Sequence, residues 1–111
     1  MEYNKAVDNL LKGIGDNYAN WGWGKPGPNT DRVNEFRNGL KVKPGRKFDK
    51  VIESNRVWGF IAKTDGVHKG IPHKKGDVFK AAGWRAPAKW ARGSIFSSDK
   101  FYTWTGPNYL I

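Results

Sequence analysis

The chain has no cysteine, and that absence removes disulfides, thiolate nucleophiles and cysteine-based zinc sites from consideration. It also lacks any apolar run approaching the ~20 residues of a membrane span. The opening Met1-Glu2-Tyr3-Asn4-Lys5 carries an acid early and leads into no apolar stretch of signal-peptide length. A soluble, cytoplasmic protein with no membrane partner is the expectation. Acids are scarce as well: ten Asp and Glu stand against twenty Lys and Arg, for a formal charge of +10. Residues 1 to 40 balance five bases against five acids, so the whole excess lies in residues 41 to 111, with fifteen bases and five acids. Self-repulsion of that size works against a compact domain, so an anionic partner is the functional reading and a solubility role the plain alternative.

What is present suits one folded domain. The 111 residues are enough to bury a single core without covalent staples. Hydrophobic residues at 38%, with 14 Gly beside them, match a globular average. The chain divides into an N-terminal helical segment (1–18), a Gly/Pro-rich loop and short turn (19–38), and a strand-rich basic part (39–111).

Residues 3 to 18 read as an amphipathic helix. Tyr3, Ala6, Val7, Leu10, Leu11 and Ile14 recur at three- and four-residue spacing, with Asn4, Lys5, Asp8, Asn9 and Lys12 on the other face. Gly13 and Gly15 are expected to weaken and stop it. Trp21 to Thr30 then holds three Gly and two Pro in ten residues. It is no phosphate-binding loop, because Gly24-Lys25 is followed by Pro26 rather than Ser or Thr and two prolines remove backbone donors. Trp21 and Trp23 either stack on bases or fold back over the core. Thr30 or Asp31 caps a short turn through Phe36.

From Gly39 onward the pattern is strand-like. Pro44-Gly45 marks a turn inside the basic run from Lys41 to Lys47, and Phe48 to Glu53 follows as a strand. Arg56 to Lys63 is apolar on both faces, with Val57 and Ile61 on one and Trp58, Phe60 and Ala62 on the other, which predicts the central strand with Trp58 and Phe60 in the core. Thr64 to Lys75 reads as a long polar connection holding His68 and His73, whose spacing matches no familiar metal-ligand pattern. Lys75-Gly76-Asp77 turns into a strand through Val78, Phe79 and Ala81. Gly83 to Arg92 is irregular or holds one helical turn from Pro87 to Ala91, which would set Lys89 and Arg92 on one face. Ser94 to Ser97 and Phe101 to Thr105 form a final hairpin about Ser98-Asp99-Lys100, with Tyr102 and Trp104 on one face. Tyr109, Leu110 and Ile111 are expected to be packed down.

Charge, aromatic surface and backbone punctuation coincide most densely between Lys74 and Phe96. Lys63, Lys69, Lys74, Lys75, Arg85, Lys89 and Arg92 are the candidate phosphate contacts, and Trp84 and Trp90 the candidate stacking platforms. Exposed rings favour single-stranded DNA or RNA, since a duplex hides the faces of its bases. Fourteen Lys against six Arg favour backbone contact with little sequence preference over bidentate base reading. No helix-turn-helix, zinc finger or RNP motif is present. Neither a nucleophile elbow nor a paired-carboxylate pattern stands in the chain, so no catalytic residue, cofactor or metal is assigned. A metal-free ribonuclease using His68 or His73 with Arg85, Arg92 or Tyr102 is the catalytic alternative. The other alternative is a small effector that presents its Trp residues to a host protein.

The run from Lys75 to Trp84, Lys-Gly-Asp-Val-Phe-Lys-Ala-Ala-Gly-Trp, and that from Trp104 to Leu110, Trp-Thr-Gly-Pro-Asn-Tyr-Leu, resemble small uncharacterised proteins of tailed bacteriophages over residues 40 to 111. The resemblance implies action in the bacterial cytoplasm, on phage nucleic acid or on a host factor. The expected architecture is α+β: an N-terminal helix packed on a small, strongly bent antiparallel sheet or partly open barrel of about five strands.

Overall fold

The computed structural model describes residues 2–20, 30–97, 101–103 and 105–107. Helix α1 spans Tyr3–Asn20. It runs through Gly13 and Gly15, which do not stop it. A methyl group at Gly13 would collide with the Tyr102 hydroxyl and one at Gly15 with the Arg37 guanidinium, so both positions serve close packing. Its apolar stripe is the one the periodicity indicates, with Ala6, Val7, Leu10 and Ile14 buried. Helix α2 spans Thr30–Gly39 and is a full helix where a short turn was expected. It is tied to α1 by Tyr18 stacked on Phe36 at 4.1 Å and by Arg37 Nη2 donating to Asp16 Oδ1 at 2.7 Å.

Strands β1 (Leu40–Lys43), β2 (Phe48–Glu53), β3 (Arg56–Ala62), β6 (Asp77–Ala81) and β7 (Pro87–Ser94) form one five-stranded sheet in the order β1-β2-β3-β6-β7. Every pairing is antiparallel. The expectation of a strongly bent sheet or partly open barrel is wrong. The sheet is open, because β1 and β7 stand at its two ends and do not pair with each other. Closure requires the edge strands to meet in a matched stagger, and β1 offers only four residues. The core forms by layering instead. The helices cover one face around Val51, Trp58, Ile61 and Val78, and a second apolar cluster of Phe60, Ala62 and Phe79 lies apart from it. β1 is an edge strand bearing Lys41 and Lys43, residues that discourage another strand from adding there.

β3 is central as its sequence implies, but its faces are not those that simple alternation gives. Val51 pairs with Gly59 and Ile52 with Val57, so a bulge leaves Trp58 unpaired and turns it to the helix side beside Ile61. Val57 packs with Phe60 and Ala62 in the other cluster.

Three further expectations are corrected. The segment from Thr64 to Lys75 is no open loop but a hairpin, β4 (Gly66–His68) with β5 (Ile71–His73). Its two-residue turn puts Lys69 and Gly70 at φ 51° and 81°, the left-handed pair that suits a tight hairpin. Residues 87 to 91 are strand, not helical turn. Pro87 opens an edge strand, where its missing N–H is tolerated, and pairing with β6 overrides the helix-start signal. Finally, Tyr102–Thr103 (β8) pairs with Gly106–Pro107 (β9) rather than with Ser94 to Ser97. The expected turn at Ser98 to Lys100, the Trp21 and Trp23 loop, Trp104 and the packed-down end from Tyr109 to Ile111 lie outside the described residues.

Asp49 is the one charged residue buried among the described residues, 7% exposed on the helix side of β2. The Tyr3 hydroxyl donates to its Oδ2 at 2.8 Å, and Lys63 Nζ lies 3.7 Å from its Oδ1. Burial first, then the Asp49 bond and charge, pushes the Tyr3 phenol well above its ordinary 10.0. The folded state therefore holds a proton on Tyr3 that the unfolded chain releases near pH 10, and stability falls as pH rises past that point. Tyr3→Phe should cost about 1–3 kcal/mol at neutral pH, because it leaves the buried carboxylate short of a donor. The gap to the parent, read from urea midpoints, should narrow above pH 10. A gap that is constant across that range would mean the hydroxyl does not titrate with folding.

Candidate nucleic-acid interface

The β1–β2 hairpin builds a strongly basic concavity. In antiparallel register Lys43 sits opposite Lys50, which sits opposite Phe60 on β3, so the three share the sheet face away from the helices. The turn between the strands, where Pro44-Gly45 stands, carries Arg46 and Lys47 to the same place. Lys63 holds that turn: its Nζ donates to Gly45 O at 3.0 Å, and its backbone N–H to Lys47 O at 3.0 Å. From the other side comes the β6–β7 loop, closed by Ala82 and Gly83 N–H donating to Ala86 O at 2.9 and 3.3 Å, which presents Trp84 and Arg85.

The result is a groove of about 370 Å³ with Lys43, Arg46, Lys47, Lys50 and Arg85 around it and Phe48, Phe60 and Pro87 supplying its apolar lining. Lys50 Nζ lies 4.5 Å over the Trp84 ring and 5.9 Å from the Phe60 ring. Among the described residues no carboxylate lines the groove, and none of its five cations forms an ion pair. Burial pushes the Lys50 ammonium below its ordinary range, and the nearby Lys43 and Arg85 charges push it further. Such a cluster gains by receiving an anion, whose charge would offset the mutual repulsion.

The sequence-predicted contacts are spread over several places. Arg85 lines the groove; Trp84, 50% exposed, stands outside that lining and meets it only through the Lys50 ammonium. Lys89, Trp90 and Arg92 lie together on β7, with Trp90 49% exposed, Lys89 Nζ 5.6 Å from its ring and Arg92 Nε donating to its carbonyl at 3.1 Å. The Arg92 charge adds to burial in holding Lys80 below its ordinary range. Lys69 occupies the tip of the β4–β5 hairpin. Lys74 and Lys75 sit at the turn into β6, where their backbone N–H groups donate to Asp77 and Asp65 at 3.0 and 2.8 Å, and Lys75 Nζ lies 5.5 Å over the Tyr3 ring. Lys63 is engaged with the hairpin turn and Asp49, as described above.

Sequence reasoning missed Lys43, Arg46, Lys47 and Lys50. The signal was available in part: four cations flank a Pro-Gly turn, and two-residue alternation sets Lys43 and Lys50 on one face once the hairpin register is known. His68 and His73, either of which the ribonuclease alternative would use, pack their rings against Phe48 and Phe79 at centroid distances between 5.4 and 5.9 Å. His68 Nε2 is 3.1 Å from Pro87 O. Tyr102 stands on the helix side, against Gly13 and Trp58, away from both histidines. No cluster of three or more metal-ligating side chains occurs among the described residues, and no helix there is long and apolar enough to cross a membrane.

The profile of DUF7717, a family of unknown function, matches residues 4–106. The chain belongs to this family. The DUF7717 match takes in α1 from its second residue, helix α2, the whole five-stranded sheet and every residue of the groove. No curated protein and no solved structure matches the chain.

Proposed function

We propose that this DUF7717 chain is a nucleic-acid-binding protein that holds single-stranded DNA or RNA with little sequence preference and acts in the cytoplasm. One observation carries the reading. Five cations without a carboxylate surround an apolar, aromatic groove, so one site offers charge for phosphates and surface for bases. Both chemistries are needed to prefer a single strand, because an acidic protein surface or free phosphate would use the cations and leave the half-buried Phe48 and the exposed Trp84 idle. Lys50 of the groove and the exposed Trp84 already form a cation–ring pair, and a base stacking nearby would extend it. The bacteriophage resemblance of residues 40 to 111 suggests a bacterial cytoplasm and phage nucleic acid as the setting.

Intrinsic Trp fluorescence titrated with single-stranded DNA, single-stranded RNA and duplex DNA tests this reading. Quenching should be stronger with single strands, and log affinity should fall with log salt at about −0.7 per phosphate engaged. RNA recovered at full length separates binding from cleavage. Failure of all three polymers to bind at low salt would end the reading and leave a host protein as the partner to seek.

A further inference from the structure

A second depression of about 420 Å³ adjoins the groove along β1 and shares Lys43 and Pro44 with it. Its other lining includes Lys41, Ile52 and Ser54. The register explains why the two are continuous: Lys41 pairs with Ile52 and Lys43 with Lys50, so Lys41, Ile52, Lys43, Lys50 and Phe48 follow one another on the same sheet face. Three cations and two apolar side chains share this line, with Lys41 opposite Ile52 and Lys43 opposite Lys50. Lys41 and Lys43 stand on the edge strand, while Ile52 and Phe48 lie on β2, one strand further in.

We infer that the two depressions form one track that holds a single nucleic-acid strand of about four nucleotides, running between the Ser54 end and the Arg46 and Arg85 end; this rests on the binding reading above. The length follows from the strand. Ile52, Lys50 and Phe48 are same-face residues of β2, and the four residue steps from first to last span about 14 Å at about 3.4 Å per residue. A stacked strand rises by about 3.4 Å per nucleotide, so about four fit. Phosphates lie along the Lys41 and Lys43 edge and reach Lys50, Arg46 and Arg85. Bases turn inward over the half-buried Ile52 and Phe48. A duplex presents its phosphates outside and its base faces nowhere, so it meets only the edge lysines.

The test is a series of oligothymidylates from about two to about twelve nucleotides, titrated against the full chain and against Lys41→Gln, with Lys12→Gln on the far side of the sheet as control. Affinity should climb steeply to about four nucleotides and then rise only as the number of equivalent registers grows, with a limiting salt slope near −2.8. Lys41→Gln should weaken the longer oligomers about fivefold and reduce the slope by about 0.7, because one phosphate loses its partner. Lys12→Gln should match the parent. Affinity that keeps climbing steeply beyond about six nucleotides, or a Lys41→Gln variant that behaves like the control, would overturn the track while leaving binding intact. Absence of binding at every length would instead count against the binding reading itself.

Discussion

Lys43→Glu, Lys50→Glu and Arg85→Glu combined in one chain should reduce affinity for single-stranded nucleic acid at least about 100-fold at moderate salt, with little change in melting temperature. The three positions sit at the groove, and the charges of Lys43 and Arg85 already weigh on the Lys50 ammonium. Removing them relieves repulsion in the free protein, and none of the three belongs to either apolar cluster. Reversing them turns an attractive wall into a repulsive one, which costs binding more than neutral replacement would. Circular dichroism and a thermal melt establish that the triple variant folds, and the fluorescence titration then reads the effect on its own. A folded variant that binds as tightly as the parent would exclude this groove and shift attention to Lys89, Trp90 and Arg92 on β7.

Trp58→Ala should cost about 3–5 kcal/mol of stability, a large share of the roughly 5–15 kcal/mol that holds a domain of this kind together. Trp58 is 2% exposed and packs with Val51, Ile61 and Val78 under the helices. Its indole Nε1 donates to Thr103 O at 3.0 Å, and its ring meets Tyr102 edge-on at 6.0 Å. The residue thus joins the central strand to the β8 segment. Truncation leaves a cavity that the flanking sheet cannot easily close, and it strands the Thr103 carbonyl. Trp58→Phe should lose about half as much, because it keeps most of the volume and gives up the hydrogen bond. Urea unfolding followed by circular dichroism measures both. Near-equal midpoints for Trp58→Ala and the parent would mean that this ring does not anchor the core.

The elements legible in the sequence are those whose reasons are local. The α1 stripe from Tyr3 to Ile14 needs only helical spacing, and the β2–β3 hairpin needs two apolar runs separated by Ser54 and Asn55. β7 is a different case. Pro87 has a helix-start signature, and only the presence of β6 beside it makes Pro87–Ser94 a strand. The β4–β5 hairpin was hidden by its composition, since two three-residue strands joined by Lys69-Gly70 look like polar loop. The open sheet was missed because curvature depends on how distant edges relate, and no local pattern encodes that. For the groove, the hairpin cations were visible as a basic run, but Arg85 lies far along the chain and reaches them only through the β6–β7 loop. A density of charge and aromatics marked Trp84 and Arg85, yet said nothing of which lysines would be their neighbours.

The five groove cations sit on the β1–β2 hairpin and the β6–β7 loop, and neither core cluster includes any of them. Substitutions at these five positions therefore leave both core clusters untouched. Exchanging a lysine for an arginine, or for a neutral side chain, changes the charge of the groove without touching the packing of the helices on the central strand. One hairpin and one loop can thus be rewritten in charge while the chain continues to fold alike.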